Sequence, residues 1–220
     1  MTPKQETLQG TFDMPLLSGV RSVTASLDTV GMLRYLIKDR FPGKTVVTAS
    51  LRNRSLVVLH MVSQIEPATP VVFCRPGKFF PDSLSFQDEI VARFALTNIG
   101  ISVGREAKPR ENDCSHCERM WVENENSTGR SFELMHLNDT LAPYDCWISA
   151  AYHVKRPAHV QQRVDVEGRL IRVDALRRWS NEEVRAYMAK HDIPHHQRAY
   201  RKQVRPEVDK VLEALPPFAF

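Results

Sequence analysis

The amino-acid sequence predicts an α/β fold, a three-layer sandwich built around a mostly parallel, twisted sheet. Apolar runs of strand length alternate with helical segments from residue 44 to residue 104. A strand, helix, strand, helix, strand order is typical of a parallel sheet with right-handed crossovers. The predicted strands are residues 44–50, 71–75 and 98–104, and the predicted helices between them are residues 55–65 and 82–96.

The segment before this core is predicted to be a helix preceded by an arm. Apolar residues at helical spacing predict a helix over residues 26–40, with Ser26 as its cap. Residues 1–25 lack a clear period and are expected to form a loosely ordered arm. We therefore expect a single domain over residues 26–220.

The second half of the chain is predicted to contain shorter elements. Residues 105–130 are polar and without period, which is typical of a long functional or mobile loop. Beyond them we expect a short helix over 131–143, a strand over 144–153, a hairpin around Glu167-Gly168, and a helix over 178–193 that begins with a Ser180–Glu183 capping box.

The composition is that of an ordinary water-soluble domain. The 220 residues are 42% hydrophobic and 25% charged, with a net charge of +4. This mildly basic balance suits an anionic ligand such as a nucleotide, but it is too weak to indicate a nucleic-acid partner. No apolar run is long enough to cross a membrane, and the N-terminal residues are too polar for a signal peptide. Four cysteines do not suggest a disulfide framework in a chain of this size, so we expect reduced thiols in the cytoplasm.

Two loops follow the first two predicted strands and are expected to face one crevice. The first, SLRNRS, contains Ser50, Arg52 and Ser55, and the second, RPGK, contains Arg75 and a glycine. Ligands of parallel sheets bind at the carboxyl ends of the strands. The first loop lacks the glycines that usually bring backbone amides close to a phosphate. An arginine fork could bind the phosphate instead, or it could fill the pocket.

Several motifs follow one another along the chain. They are RFPGKTVVTASL, an LH early in the next helix, the strand VVFCR, the pair Phe80-Pro81, and the later segments LNDTLAPYDCWISAA and VDALRRWSNEEVRAYMAKHDIPHH. In their order these motifs resemble the phosphoadenylyl-sulfate (PAPS) reductase family, within the adenine nucleotide alpha hydrolase-like folds. The resemblance covers roughly residues 40–100 and 130–196. It implies binding of an adenine nucleotide or adenylyl sulfate, and sulfur transfer or reduction.

The chain departs from the family pattern in the nucleotide-binding loops. Arg52 occupies a position that is usually glycine, and Arg75 replaces the aspartate of the family's DTG turn. The segment AAYHVKRPAHV replaces the family's arginine motif, and its Lys155 and Arg156 lie a few positions away from the arginines of that motif. The resemblance implies a nucleotide site formed by eight residues: Ser50, Arg52, Ser55, Arg75, Gly77, Lys78, Lys155 and Arg156. Arg54, in the same loop, is expected to face solvent.

The family's redox groups have no obvious counterpart. The resemblance implies a catalytic cysteine near the C-terminus, but no cysteine follows Cys146. The positions of the cluster-binding cysteines fall near Thr128 and Gly129, so no iron–sulfur cluster is expected.

The segment DCSHCERMW offers a substitute redox pair. Cys114 and Cys117 flank His116, and a nearby cation lowers the pKa of a thiol. Cys114 could attack the sulfur of a sulfonucleotide and Cys117 could resolve the product, with a thiol reductant protein as partner. The same pair could also form half of a zinc site, or be ordinary loop cysteines.

Three histidines and two further cysteines complete the set of candidate residues. His191, His195 and His196 could line the nucleotide crevice, or they could lie on the surface at the end of a helix. Cys74 and Cys146 lie within predicted strands and are expected in the core.

Three functions are consistent with these observations. The first is a PAPS-reductase-like protein that binds an adenine nucleotide or adenylyl sulfate and transfers or reduces sulfur, as an oxidoreductase or sulfur transferase. The second is a non-catalytic relative with a degenerate site, acting as a nucleotide- or partner-binding subunit, and homo-oligomers are compatible with both. The third is an ATP-splitting amidation or thiolation enzyme, which ranks last because SLRNRS lacks the intact Ser-Gly-Gly-x-Asp-Ser loop.

Overall fold

A computed structural model describes residues 14–76, 81–107, 119–120, 131–134, 137–150 and 162–196. In chain order the elements are α1 (Met14–Ala25), α2 (Thr29–Arg34), a π-helical segment (Tyr35–Arg40), β1 (Thr45–Ala49), α3 (Asn53–Ile65), β2 (Val71–Pro76), α4 (Pro81–Arg93), β3 (Ile99–Ala107), β4 (Arg119–Met120), β5 (Ser131–Leu134), α5 (Leu137–Leu141), β6 (Cys146–Ser149), β7 (Val164–Glu167), β8 (Leu170–Val173) and α6 (Asn181–Lys190).

The described strands form one sheet of eight, in the order β4-β5-β3-β2-β1-β6-β8-β7. Five consecutive strands, β3, β2, β1, β6 and β8, run parallel to one another, and antiparallel strands flank them on both sides. The chain moves from β1 to β2 and β3 on one side, and later places β6 and β8 on the other. Because of this reversal, the boundary between the paired strands β1 and β6 is a topological switch point. Ligands of open α/β sheets bind at such a point, outside the carboxyl ends of the strands. The predicted α/β fold is confirmed.

The two faces of the sheet carry different cores because side chains alternate along each strand. On one face, Val47 of β1 and Phe73 of β2 belong to the large core that also contains buried residues of α1, α2, α3, α4 and α6. On the other face, Val46 of β1 and Trp147 of β6 form a smaller core with Leu141 of α5. Helices therefore contact both faces, as a three-layer sandwich requires.

The predictions for the parallel core agree with the structure. The strands β1, β2, β3 and β6 and the helices α3 and α4 lie within a few residues of the predicted ranges. The hairpin of β7 and β8 turns at Gly168, whose φ of +59° is a conformation that glycine adopts readily. The predicted capping box is present, because Ser180 and Glu183 bond each other's backbone amides at the start of α6.

Three local predictions were wrong. Residues 14–25, expected in a loosely ordered arm, form α1, and its Leu17 and Val20 are buried in the large core. The helix predicted over 26–40 begins later, at Thr29, because Asp28 rather than Ser26 accepts the capping hydrogen bond, from Gly31. It then widens into the π-helical segment.

The third error concerns the helix predicted over residues 131–143. Its first part is the strand β5, which pairs antiparallel with β3, and only residues 137–141 are helical. The pairing with β3 is a long-range contact that the local sequence does not reveal.

No helix in the described part of the chain has the length and apolar character needed to span a lipid bilayer.

Candidate functional site

The carboxyl ends of β1, β2 and β6 lie at one edge of the sheet, which we call the carboxyl edge. Ala49 of β1 pairs with Phe73 of β2, and Thr48 of β1 pairs with Ser149 of β6, so β1 and β6 end nearly level and β2 continues three residues further, to Pro76. The backbone amide of Ala150 donates to the carbonyl of Thr48 at 2.9 Å, which extends the β6 pairing to the end of β1. The loop after β1 therefore opens directly at the switch point.

This loop is closed by two serines. The backbone amide of Ser50 donates to Oγ of Ser55 at 2.8 Å, and the amide of Arg52 donates to Oγ of Ser50 at 3.4 Å. Ser55 is completely buried, and Leu51 between them is buried in the large core. The predicted loop residues Ser50, Arg52 and Ser55 are thus brought together, and the turn is formed by side-chain oxygens instead of glycine.

Helix α3 begins inside the same loop. Arg52 has the extended backbone of an N-cap residue, with φ −88° and ψ 154°, and its side chain makes no capping hydrogen bond. Its carbonyl accepts from the amide of Leu56, which is the first turn of the helix. The amides at a helix N-terminus point outward and carry a partial positive charge, so they attract anions. At the carboxyl edge, this N-terminus is suited to a phosphate or sulfate group.

Arg75 lies near the end of β2, two residues beyond the pair of Phe73 with Ala49, and its side chain is held by a helix. Its Nε and Nη2 donate to Oε1 of Gln87 on α4, at 3.2 and 3.0 Å. Gln87 is only 3% exposed, so the amide is a fixed acceptor. Gln87 orients the guanidinium at the edge where the resemblance implies a nucleotide-binding residue. Gln87 was not among the residues predicted from the sequence, because its place nearly two turns into α4 carries no local signal of a contact with Arg75.

The prediction that Arg54 faces solvent was wrong. Its guanidinium donates to the carbonyl of Trp179 at 3.1 Å and to the carbonyl of Leu176. Burial lowers the pKa of Arg54, partly offset by Asp174. Arg54 therefore ties α3 to the segment before α6.

A buried polar network lies beneath the carboxyl edge, on the face of the smaller core. Nε1 of Trp147 donates to Oγ1 of Thr48 at 2.7 Å. The guanidinium of Arg172 lies 5.1 Å from the centre of the Trp147 ring and pairs with Glu167 at 2.6 Å. Because Thr48 stands two residues before Ser50, this network fixes the end of β1.

The histidines predicted near the end of the last helix, His191 and His196, lie in two different parts of the structure. His196 is buried and its ring lies 5.0 Å from that of Phe86 on α4, next to Gln87. His191 instead stacks on Tyr187 and His60, at ring distances of 4.2 and 4.9 Å. His196 therefore lies near the carboxyl edge, and His191 packs between α3 and α6.

The two strand cysteines are core residues, as predicted. Cys74 and Cys146 are buried free thiols. Burial raises the pKa of Cys146 to about 12, so its thiol stays protonated near neutral pH. Neither is placed to act as a nucleophile.

The remaining predicted site residues lie outside the described residues. They are Gly77, Lys78, Cys114, Cys117, Lys155 and Arg156. Within the described residues there is no group of three or more histidine, cysteine or acidic side chains that could hold a metal ion.

A parallel sheet with an anion-attracting helix N-terminus at its switch point defines the general class of α/β nucleotide-binding folds. The profile of the phosphoadenosine phosphosulfate reductase domain matches residues 44–202. The chain therefore belongs to the PAPS reductase family.

Two curated proteins are similar to this chain in sequence, and one solved structure is similar to it in fold. A phosphoadenosine 5'-phosphosulfate reductase of Alkalilimnicola ehrlichii is 26% identical over 189 residues, which is 82% of this chain and 74% of that protein. An adenosine 5'-phosphosulfate reductase of Mesorhizobium japonicum is 26% identical over 186 residues, 80% of this chain and 71% of that protein. The crystal structure of a PAPS reductase from Candida auris, a phosphate complex, aligns with a TM-score of 0.57 at 15% identity, covering 85% of this chain and 91% of that one. This structural likeness confirms the fold.

Proposed function

We propose that this protein binds an adenylyl sulfate or a related adenine nucleotide at the carboxyl edge and takes part in sulfur transfer or reduction. The single observation that carries the proposal is the position of the α3 N-terminus, which opens at the switch point inside the loop closed by Ser50 and Ser55. The names of the curated relatives supply the substrate class.

In this proposal the loop binds the phosphate or sulfate group, and two arginine side chains lie beside that group. The backbone amides at the start of α3 and the guanidinium of Arg52 supply charge-assisted hydrogen bonds, and Arg75 stands at the end of the neighbouring strand. Arginine is suited to this role because its planar fork matches two oxygens of one oxyanion. Gly77, Lys78, Lys155 and Arg156 are proposed to complete the site.

The test is a calorimetric titration of the whole chain with the two adenylyl sulfates, ATP and adenosine 3′,5′-bisphosphate. Arg52→Ala is expected to weaken binding about tenfold or more, the size of one charge-assisted hydrogen bond. Arg34→Ala is the matched control, because Arg34 is an exposed arginine on α2 and is expected to leave binding unchanged. No binding of any nucleotide, or binding that appears only in Arg52→Ala, would refute the proposed site.

The proposed chemistry uses the Cys114–Cys117 pair. The Cys114 thiolate attacks the sulfur of the sulfonucleotide, the sulfur–oxygen bond to the phosphate breaks, and the nucleotide leaves with the electron pair. Cys117 then attacks Sγ of Cys114 and releases sulfite, which leaves a Cys114–Cys117 disulfide. A dithiol reductant restores both thiols, so two thiols are oxidised as the sulfur is reduced by two electrons.

Cysteine variants separate this chemistry from the alternatives. Cys114→Ser is expected to abolish sulfite release with dithiothreitol as reductant, and Cys117→Ser is expected to retain an SO₃ adduct on Cys114, visible by intact mass. Stoichiometric zinc that a chelator removes, absent from Cys114→Ser, would assign the pair to a metal site instead. Tight nucleotide binding without sulfite release in the wild-type protein would assign the chain to the non-catalytic alternative.

A further inference from the structure

A cavity lies at the opposite edge of the sheet, where β1, β6 and β8 begin. It has a volume of about 280 Å³ and is lined by residues of four segments: Leu16 of α1, Arg40, Phe41, Pro42 and Lys44 before β1, Asp145 before β6, and Arg169 and Ile171 at the start of β8. Because β1 contains five residues, this amino edge is separated from the carboxyl edge by about 16 Å of strand. The cavity is therefore distinct from the proposed nucleotide site.

The cavity wall is basic. Three cationic side chains, Arg40, Lys44 and Arg169, face one carboxylate, that of Asp145. Arg169 approaches Asp145 only to 3.7 Å, and both side chains are about half exposed. Lys44 donates to the carbonyl of Pro143 at 3.1 Å, which leaves its other ammonium hydrogens available.

Arg40 lines the cavity and its guanidinium packs against an aromatic ring. Its guanidinium lies 5.0 Å from the ring centre of Phe41, and the described residues include no carboxylate in ion-pair contact with it. The π-helical segment places it there, because the amide of Phe41 bonds the carbonyl of Leu36, five residues back. Such π-turns are rare and are frequent at functional sites.

The base of the cavity is apolar. Phe41 and Ile171 are buried beneath it, and the apolar surface that a ligand can reach comes from the half-buried Leu16 and the exposed Pro42. A volume of about 280 Å³ is slightly below the usual range of sites for drug-sized ligands. The cavity therefore matches a compact ligand with one anionic group and one small apolar or ring portion.

We propose that the amino edge binds a small phosphate or sulfate monoester, with the oxyanion between Arg40, Lys44 and Arg169 and the ester group against Leu16 and Pro42. The guanidinium groups supply the geometry that oxyanions prefer, and the apolar base adds affinity for the organic group. This inference does not depend on nucleotide binding at the carboxyl edge.

Phenyl phosphate is the probe, titrated into the whole ¹⁵N-labelled protein at low ionic strength and followed by amide chemical shifts. Saturable shifts are expected at residues 41–44 and 169–171 and not at residues 50–55. Inorganic phosphate is expected to bind more weakly, and phenol is expected not to bind, because each carries only half of the matched chemistry.

Variants test the assignment of the charged groups. Arg40→Gln is expected to lower the affinity for phenyl phosphate about tenfold. Asp145→Asn is expected to raise this affinity severalfold, because it removes the opposing carboxylate. Arg34→Gln, an exposed arginine of the neighbouring helix, is the matched control and should have no effect. The proposal is overturned if no amide near the cavity shifts, if Arg40→Gln binds like the wild type, or if Arg52→Ala abolishes the binding, which would place the probe at the carboxyl edge.

Discussion

Oγ of Ser55 accepts a hydrogen bond from the backbone amide of Ser50, at 2.8 Å, and this contact closes the loop between β1 and α3. Ser55 is completely buried and Ser50 is half-buried, so the acceptor of this hydrogen bond is supplied from the protein interior. The contact also fixes the distance between the end of the strand and the start of the helix. A serine pair thus provides the tight turn for which glycine is more often used.

Removing this acceptor should weaken both the fold and the proposed site. Ser55→Ala is expected to lower the free energy of unfolding by about 1 kcal/mol, since the half-buried Ser50 amide loses its acceptor. Urea denaturation measures this change, and calorimetry should show weaker nucleotide binding by the folded variant. Ser85→Ala is the control, because Ser85 makes an exposed hydrogen bond on α4 and its loss should change little. Equal stability of the two variants would contradict the role given to Ser55.

The two carbonyl contacts of Arg54 predict a structural role without a role in binding. Arg54→Ala is expected to cost about 2–3 kcal/mol of unfolding free energy, because the carbonyls of Leu176 and Trp179 lose their donor. Arg54→Lys should recover only part of this loss, because an ammonium cannot match a two-carbonyl fork. The measurement is urea denaturation of both variants beside Arg34→Ala. A loss of nucleotide affinity in folded Arg54→Lys, with stability unchanged, would move Arg54 into the binding site.

The centre of the sheet could be predicted from sequence because buried parallel strands are continuous apolar runs. All five residues of β1 are buried, and the sequence TVVTA shows this directly. The strand order predicts that the loop after β1 lies at the carboxyl edge. Ser50, Arg52 and Ser55 can therefore be placed in this loop without knowledge of their contacts.

Contacts between distant parts of the chain explain what the sequence analysis missed. Helix α1 has only a few buried residues, and it is held by Arg21, which bonds the Val164 carbonyl and the Asp165 carboxylate of β7. Nothing in residues 14–25 indicates a partner more than 140 residues away. The acceptor Gln87 was missed for a similar reason, since only the folded chain brings it to Arg75. Propensity and period describe local structure, and these residues are determined by tertiary contacts.

The ring of His60 on α3 contacts the rings of Tyr187 and His191 at the end of α6, and this packing predicts that the protein is less stable in mild acid. Burial, and then the neighbouring His191, lower the pKa of His60 below its ordinary value of 6.5. The unfolded chain therefore binds more protons than the folded one as pH falls from about 6.5 to the folded pKa, and the unfolding free energy decreases over that window. Urea denaturation at several pH values measures the decrease, and the proton resonances of His60 give its pKa directly. If His60→Gln shows the same pH dependence as the wild type, another group is responsible.

The ion pair of Arg172 and Glu167 predicts a large effect from changing one partner and a small effect from changing both. Their side chains are 8% and 12% exposed, and Arg172 lies against Trp147. Glu167→Leu is expected to cost about 3 kcal/mol of unfolding free energy, because it leaves a buried guanidinium without its counter-charge. The double variant Glu167→Leu/Arg172→Met should recover most of this loss, since a well-packed apolar pair can replace a buried ion pair. Urea denaturation of the single and double variants gives the coupling, and Glu182→Leu, which breaks an exposed pair with Arg185, should change stability little. If the double variant is no more stable than Glu167→Leu, the cost arises from lost packing and not from an unpaired charge.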